Sequence, residues 1–243
     1  MAGCCDARGC DRVFGPRFAH HAAERYRKRG LDRPSRHLVD WLVAQGLDGA
    51  SVLEIGGGVG EIQLELLRRG AARTMNLELV TAYDEEADAL AAEAGTQDRM
   101  TRRLGDIAID ADVAEPHDFV VLHRVVCCYP DVERLVAAAA DHALRGVILT
   151  HPPRNIASLA GLAIGNLAAR VTGREYRAYA HPPEVMRAVL REHGLEPVPL
   201  RRGPIWQVLA ATRIPAPPAP PAPPGTAGPP NPTEGRRAGG FVS

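Results

Sequence analysis

The sequence lacks an excess of charge of either sign, and it has a single lysine, Lys28, beside many arginines. Its formal net charge at pH 7 is zero, so no overall electrostatic attraction to nucleic acid or to an anionic membrane is expected. The arginines, together with abundant alanine, glycine and proline, indicate a coding bias more than selection for phosphate binding. A small neutral substrate or an ordinary protein partner fits this composition.

Long hydrophobic runs are also missing. Residues 1–30 contain no apolar run of the length that a secretory signal needs, so we expect a cytoplasmic protein. The longest apolar stretch, Ile156–Val171, is interrupted by Asn166 and Arg170 and is shorter than the roughly 20 residues of a spanning helix. It therefore predicts a buried or site-covering helix and no membrane span.

The cysteines form no recognised metal-ligand spacing. Cys4 and Cys5 are adjacent, as are Cys127 and Cys128, and adjacent cysteines are awkward partners for each other in a disulfide or a metal site. The N-terminal pair with Cys10 could bind a metal, but no second ligand cluster follows it. We expect thiols in a cytosolic chain and predict no metal.

From residue 51 onward, short β-branched or aliphatic runs alternate with helical patterns, which predicts βαβ units and a parallel sheet. Strands are predicted at residues 51–55, 72–79, 100–104, 119–123 and 146–150, and helices at residues 61–69, 84–94, 131–143 and 184–192. Asp131 follows a proline and is the predicted N-cap of its helix. Residues 197–201 and 205–211 predict a C-terminal antiparallel hairpin.

The chain is predicted to divide into three parts. Residues 1–48 form an N-terminal segment and a helical cover, with helices at 17–29 and 34–45. Residues 49–213 form an α/β core, a seven-stranded and mostly parallel sheet with helices on both faces, into which a cover helix at 155–171 is inserted. Residues 214–243 are rich in proline, alanine and glycine, which predicts a disordered tail.

Residues 54–60 form a glycine loop between the first predicted strand and the following helix. Glu54 ends the strand, and the loop contains four glycines, Gly56, Gly57, Gly58 and Gly60. Such a loop offers backbone N–H groups and a bare surface that a ligand can approach closely. A dinucleotide fold uses the spacing G-x-G-x-x-G instead, so the spacing here argues against an NAD-linked oxidoreductase.

The run E-I-G-G-G-V-G at residues 54–60 resembles motif I of the class I, Rossmann-like methyltransferases, whose pattern is acidic-x-G-x-G-x-G. The resemblance implies S-adenosylmethionine (SAM) as the cofactor. In that family the acidic residue, here Glu54, orients the loop and the methionine end of the cofactor, while the glycines at 56, 58 and 60 allow its close approach.

Two further elements agree with this resemblance in order and spacing. Glu78 ends the second predicted strand, beside Leu79, where a carboxylate can accept hydrogen bonds from both ribose hydroxyls. Asp106 and Ile107 follow the third strand and resemble the family's G-D-[AVI] element, in which the aspartate contacts the adenine amino group and its neighbour packs on the ring.

Candidate catalytic residues follow the fourth strand. His123 could be a general base, or it could cap the strand or bind the cofactor. Tyr129 could line the pocket beside the donor methyl group, or simply pack over the next helix. The loop from 122 to 130 is similar to that of the magnesium-protoporphyrin methyltransferases, which also ends in Tyr-Pro, but over too few residues to imply the same substrate.

Four other residues are predicted at the rim of a substrate pocket. His151 and His181 each precede two prolines, as pocket or turn residues, and Tyr26 or Arg29 could reach the methionine carboxylate or lie on a solvated helix face. We therefore predict a SAM-dependent methyltransferase for a small-molecule acceptor.

Two alternatives stay open: a non-catalytic SAM-binding regulatory or interaction protein, and an NAD-linked oxidoreductase. Without a basic stripe or an Asn/Asp-Pro-Pro-Tyr element, no nucleic-acid substrate is expected.

Overall fold

The computed structural model describes residues 13–174, 176–198, 200, 203 and 205–214. Its strands are β1 (Ser51–Ile55), β2 (Arg73–Glu78), β3 (Met100–Leu104), β4 (His117–Leu122), β5 (Ala143–His151), β6 (Leu195–Val198) and β7 (Gln207–Arg213). Its α-helices are α1 (Pro16–Arg29), α2 (Arg33–Ala44), α3 (Glu61–Arg68), α4 (Asp84–Ala94), α5 (Val132–Asp141), α6 (Ile156–Val171) and α7 (Pro183–Glu192). An α-helix follows each of β1, β2 and β4, as the hydrophobic pattern predicts, whereas β3 is joined to β4 without an α-helix.

The strands form one seven-stranded sheet in the order β3-β2-β1-β4-β5-β7-β6. The pairs β1–β2, β1–β4, β2–β3 and β4–β5 are parallel, whereas β7 runs antiparallel to β5 and to β6. The predicted α/β fold with a C-terminal antiparallel hairpin is therefore confirmed. The strand order reverses between β1 and β4, which is the point where sheets of this kind form a crevice for ligands.

The residues of β4 explain why the sheet is covered on both faces. Val120 and Leu122 pack in a core layer with α5 and α7, whereas Phe119 and Val121 pack in a layer with α2 and α3. Successive side chains of a strand point to opposite faces, so a strand covered on both sides needs an unbroken apolar run.

Side-chain caps fix the start of several helices. Asp32 accepts a hydrogen bond from the Ser35 N–H at the start of α2, and Asp131 accepts one from the Arg134 N–H at the start of α5. The predicted cap at Asp131 is thus confirmed, and such a cap stabilises a helix by about 1 kcal/mol.

Strand boundaries differ from the predictions by a few residues. β4 starts at His117 and β5 starts at Ala143, because these two residues pair with each other across the sheet. The hairpin strand predicted at 197–201 is Leu195–Val198 in the structure. Residues 199, 201, 202 and 204 lie outside the described residues, as do Cys4, Cys5, Cys10 and the tail from residue 215.

Helix α6 lies on the outside of the molecule. None of its 16 residues is buried, so of the two expectations for this segment the buried helix is wrong, and the site-covering helix stays a prediction. Most of its large apolar side chains are exposed, among them Ile156, Ile164 and Val171, which the composition of the segment could not reveal. Among the described residues, no helix is both long and apolar enough to cross a membrane.

Candidate functional site

A cavity opens at the carboxyl ends of the parallel strands, where the strand order reverses. It brings together the predicted residues Glu54, Gly56, Gly57, Gly58, Glu78, Leu79, Asp106, Ile107, His123 and Tyr129. Helix α1 covers it from the N-terminal side with Phe18, Ala22 and Arg25. Segments far apart in sequence therefore meet at one site because parallel strands bring their carboxyl ends to the same edge.

Asn76 holds the glycine loop. Its Oδ1 accepts a hydrogen bond from the Gly57 N–H at 3.0 Å, and its Nδ2 donates to the Gly58 carbonyl at 3.3 Å. A Cβ atom at Gly57 would stand 2.6 Å from the Glu54 carboxylate and 2.9 Å from the Asn76 amide oxygen. The loop thus has no room for a side chain there, and its backbone is fixed before any ligand binds.

Glu54 is a buried carboxyl group of the cavity lining, and one of its oxygens lacks a hydrogen-bond donor in the part of the chain that the structure describes. It is 1% exposed, and its Oε2 has no hydrogen-bond partner among the described residues. Burial first, and then the nearby carboxylates of Glu61 and Glu78, raise the pKa of Glu54 well above its ordinary value. A buried acceptor without a donor is costly, so this oxygen marks a place where a ligand donor fits.

Glu78 lies at the end of β2 and faces the same cavity. Its Oε1 accepts a hydrogen bond from the Gly58 N–H at 2.5 Å. Burial raises the pKa of Glu78, against the opposing effects of that N–H and of Arg102. The guanidinium of Arg102 also donates to the Gly58 carbonyl at 2.8 Å, so the loop and the end of β2 are held as one unit.

Asp106 connects the turn after β3 with the loop after β4. Its Oδ1 accepts a hydrogen bond from the Ala108 N–H at 3.0 Å. The Tyr129 hydroxyl, which the sequence suggested as catalytic, donates to the same carboxylate at 2.9 Å from Oδ2. Tyr129 is 9% exposed, so its hydroxyl is directed at Asp106 rather than toward open cavity space.

His123 lies between two hydroxyl groups. Its Nε2 is 3.1 Å from Ser35 Oγ, and the Ser35 hydroxyl donates to Asp32 at 2.8 Å, so Nε2 carries the proton and donates to Ser35. Its Nδ1 is 3.1 Å from Thr150 Oγ1, which accepts from the Arg124 N–H and therefore donates to Nδ1. Both ring nitrogens are used in the neutral form.

The electrostatic surroundings keep this imidazole neutral. Burial first, and then the charge of Arg124, lower the pKa of His123 from 6.5 to about 3. At neutral pH a group with that pKa is a weak proton acceptor. The geometry therefore supports a positioning role for His123 rather than general-base catalysis.

Arg124 is the one non-glycine residue with a positive φ among the described residues, at 61°. Its guanidinium donates to Asp32 and lies 5.3 Å from the centre of the Trp206 ring. Burial alone would raise the pKa of Asp32, but hydrogen bonds from Ser35 and the pairing with Arg124 lower it to about 2. Such a strained backbone is typical of a functional site, and here it directs a cation to the wall of the cavity.

Cys128 lines the cavity next to the buried thiol of Cys127. The hydrogen bond between the two thiols raises the pKa of Cys127 and lowers the pKa of Cys128. The Cys128 Sγ also lies 2.9 Å from the Tyr176 hydroxyl. Among the described residues, no group of three or more His, Cys, Asp or Glu side chains could hold a metal ion.

Five predicted site residues do not line the cavity. Gly60 is the N-cap of α3, and Tyr26 and Arg29 face a separate hollow between α1, α2, α3 and α4. His151 is buried and donates to the Pro152 carbonyl, while His181 donates to the Tyr129 carbonyl at 2.9 Å. The sequence predicted Tyr26, Arg29, His151 and His181 at the rim of the pocket, but their side chains do not line the cavity.

Several cavity residues were missed in the sequence, and the helix period could have found three of them. Phe18, Ala22 and Arg25 share one face of α1, at spacings of four and three residues, and that face lies on the cavity. Arg25, one turn before Arg29, is thus the arginine of α1 that lines the cavity. Asn76 and Arg124 carry no motif and depend on tertiary contacts.

Neither a protein-family model nor a curated protein matches the sequence. Among solved structures, the chain is similar to the magnesium protoporphyrin IX methyltransferase of Synechocystis PCC 6803 with bound SAH, at a TM-score of 0.64 and 22% identity, covering 84% of this chain and 100% of that one.

It is also similar to an O-methyltransferase family protein from Burkholderia thailandensis, at a TM-score of 0.61 and 19% identity, covering 83% of this chain and 63% of that one. A third similar structure is an O-methyltransferase family 2 protein from Planctomyces limnophilus, at a TM-score of 0.55 and 19% identity, covering 79% of this chain and 64% of that one. The chain has the class I SAM-dependent methyltransferase fold.

Proposed function

We propose that this protein is a SAM-dependent methyltransferase that acts on a small-molecule acceptor. The observation that carries the proposal is the convergence of Glu54, Glu78 and Asp106 on one cavity beside the glycine loop. These carboxylates lie at or just after the carboxyl ends of three neighbouring parallel strands, β1, β2 and β3, and methyltransferase structures with bound SAM or SAH have the same fold.

Each of these cavity residues fits one part of SAM. The unpartnered Oε2 of Glu54 suits the ammonium of the methionine end, and Arg25 on α1 suits its carboxylate. Glu78 suits the ribose hydroxyls, and Asp106 with Ile107 suits the adenine. Bound SAM supplies an electrophilic methyl group on a sulfonium.

The chain itself contributes mainly orientation and exclusion of water. Phe14 and Phe18 meet edge to face over the mouth of the cavity, which favours an apolar acceptor. His123 lines the cavity as a neutral side chain held in place by hydrogen bonds to Ser35 and Thr150, and it does not act as the base. A positioned acceptor in line with the methyl group is the main requirement of such a transfer.

A small-molecule acceptor is also consistent with the structural neighbours. One is named a magnesium protoporphyrin IX methyltransferase, and another was solved in complex with apigenin. The acceptor of this chain is proposed at the level of that class.

Ligand binding tests the cofactor assignment directly. SAM or SAH should raise the thermal midpoint of unfolding, whereas NAD should not. Glu78→Ala should weaken SAM binding in calorimetry, while the matched control Glu85→Ala, at an exposed position of α4, should leave the affinity unchanged. Stabilisation by NAD alone would remove the SAM assignment, and an unchanged affinity in Glu78→Ala would remove Glu78 from the site.

A further inference from the structure

Helix α6 has the reverse of the usual arrangement of a surface helix. The side that faces the protein carries Ser158, Leu162, Asn166 and Ala169, which are half-buried. The opposite side carries only apolar side chains: Ile156, Ala160, Ala163, Ile164, Leu167 and Val171. Ile156, Ile164 and Val171 are exposed to 87%, 70% and 79%, so the apolar face points outward along the whole helix.

The outward orientation is fixed by polar contacts. The Asn166 Nδ2 donates to the Ala178 carbonyl at 2.8 Å, and its Oδ1 accepts from the Ala178 N–H at 2.9 Å. At the start of the helix, Asn155 accepts from the Ser158 N–H. Rotating the apolar face inward would break the paired hydrogen bonds of Asn166, so the exposed face belongs to this fold.

The charged residues in the sequence around this helix are mostly arginines. Residues 142–174 include no Asp or Glu, and the segment 154–177, which contains α6, carries four arginines, Arg154, Arg170, Arg174 and Arg177, against one acidic residue, Glu175. Arg170 lies next to the outward face in the helix period. A net charge of zero for the whole chain thus hides a local cationic, apolar patch.

We propose that α6 docks this protein on the surface of an anionic lipid bilayer. The apolar face would enter the interface, and the arginines would contact lipid phosphates, as amphipathic interfacial helices do. Sixteen residues extend about 24 Å, short of the roughly 30 Å hydrocarbon core, so the helix lies in the interface. Pairing with a second copy is less favoured, because it adds further arginines to a segment that carries four arginines and one acidic residue.

This docking would act close to the cavity. The segment after α6 reaches the wall of the cavity, where the Tyr179 N–H donates to the Cys127 carbonyl at 2.7 Å and Tyr176 meets Phe14 edge to face. The chain after α6 therefore connects this helix to residues beside the cavity. The proposal concerns membrane binding and does not depend on the methyltransferase activity.

Vesicle co-sedimentation of the full chain tests the proposal. We expect binding to vesicles of phosphatidylcholine with phosphatidylglycerol at 3:1, and at least tenfold weaker binding to phosphatidylcholine alone. The double variant Ile164→Asp with Leu167→Asp should lose at least tenfold in partition coefficient on the anionic vesicles. Arg170→Gln with Arg174→Gln should reduce the preference for anionic lipid.

The control is Leu144→Asp, which changes an apolar residue that is 55% exposed at the start of β5, away from α6. It should bind the vesicles as the unchanged chain does. Equal thermal midpoints would show that all variants fold. Absence of vesicle binding, or a dimer in light scattering that the Ile164 and Leu167 changes break, would overturn the proposal.

Discussion

The Tyr129 hydroxyl donates a hydrogen bond to the Asp106 carboxylate, 2.9 Å from Oδ2. This bond ties the loop after β4 to the turn after β3, at the part of the cavity that we assign to the adenine. It indicates that Tyr129 acts through Asp106, by holding the carboxylate in position, rather than on the acceptor.

Tyr129→Phe should therefore change cofactor binding more than turnover. Loss of one hydrogen bond to a charged group is expected to weaken SAM binding by up to about tenfold. The turnover number at saturating SAM should stay within about twofold. Calorimetry and steady-state kinetics separate the two effects, and a large loss of turnover with unchanged SAM affinity would place Tyr129 at the acceptor instead.

Arg25 and Arg29 offer a matched pair on one helix. Arg25 lines the cavity, whereas Arg29, one turn later, faces the separate hollow beside α2. Arg25→Gln should weaken SAM binding by about tenfold or more, because a charge-assisted pair with the methionine carboxylate is lost. Arg29→Gln should leave the affinity unchanged, and the reverse result would restore the original prediction from the sequence.

Gly57→Ala tests the close packing under the glycine loop. The added methyl group would stand 2.6 Å from the buried Glu54 carboxylate, so we expect a loss of about 1–3 kcal/mol in the free energy of unfolding, together with loss of SAM binding.

The control is Gly161→Ala in α6, where nothing lies within 4 Å of the new Cβ atom. Alanine favours a helix interior over glycine by up to about 1 kcal/mol, so this variant should be unchanged or more stable. Urea unfolding measures both, and equal stabilities would contradict the packing at Gly57.

His123 should make the protein less stable as the pH falls. Its pKa is about 3 when folded and ordinarily 6.5, so below pH 6.5 the unfolded chain binds one more proton at this residue. The stability is fully present above 6.5 and is lost toward pH 3, by up to about 1.4 kcal/mol per pH unit.

Urea unfolding between pH 7.5 and 5 should therefore show a smaller dependence on pH in His123→Gln than in the unchanged chain, since glutamine does not titrate. Parallel curves for the two proteins would mean that His123 takes up a proton in the folded state, and would reopen its role as a base.

The site residues carried by local motifs were recognisable in the sequence. The glycine loop, Glu78 and Asp106 each lie at or just after the carboxyl end of a predicted strand, and they meet in the structure because parallel strands end at one edge of the sheet. The alternation of apolar runs and helical periods is likewise local, so it gave the sheet and the C-terminal hairpin, with errors of a few residues where cross-strand pairing sets the ends.

Roles that depend on how helices and strands pack against one another could not be predicted from local motifs. The orientation of α1 on the sheet places Arg25 rather than Arg29 at the cavity. The two hydroxyl groups beside His123 come from Ser35 on α2 and Thr150 on β5.

The sequence by itself determined the fold and the order of the carboxylates along the chain, because local patterning and spacing encode both. Only the tertiary structure decided that Tyr129 bonds to Asp106 and that α6 turns its apolar face outward, because these depend on contacts between distant segments.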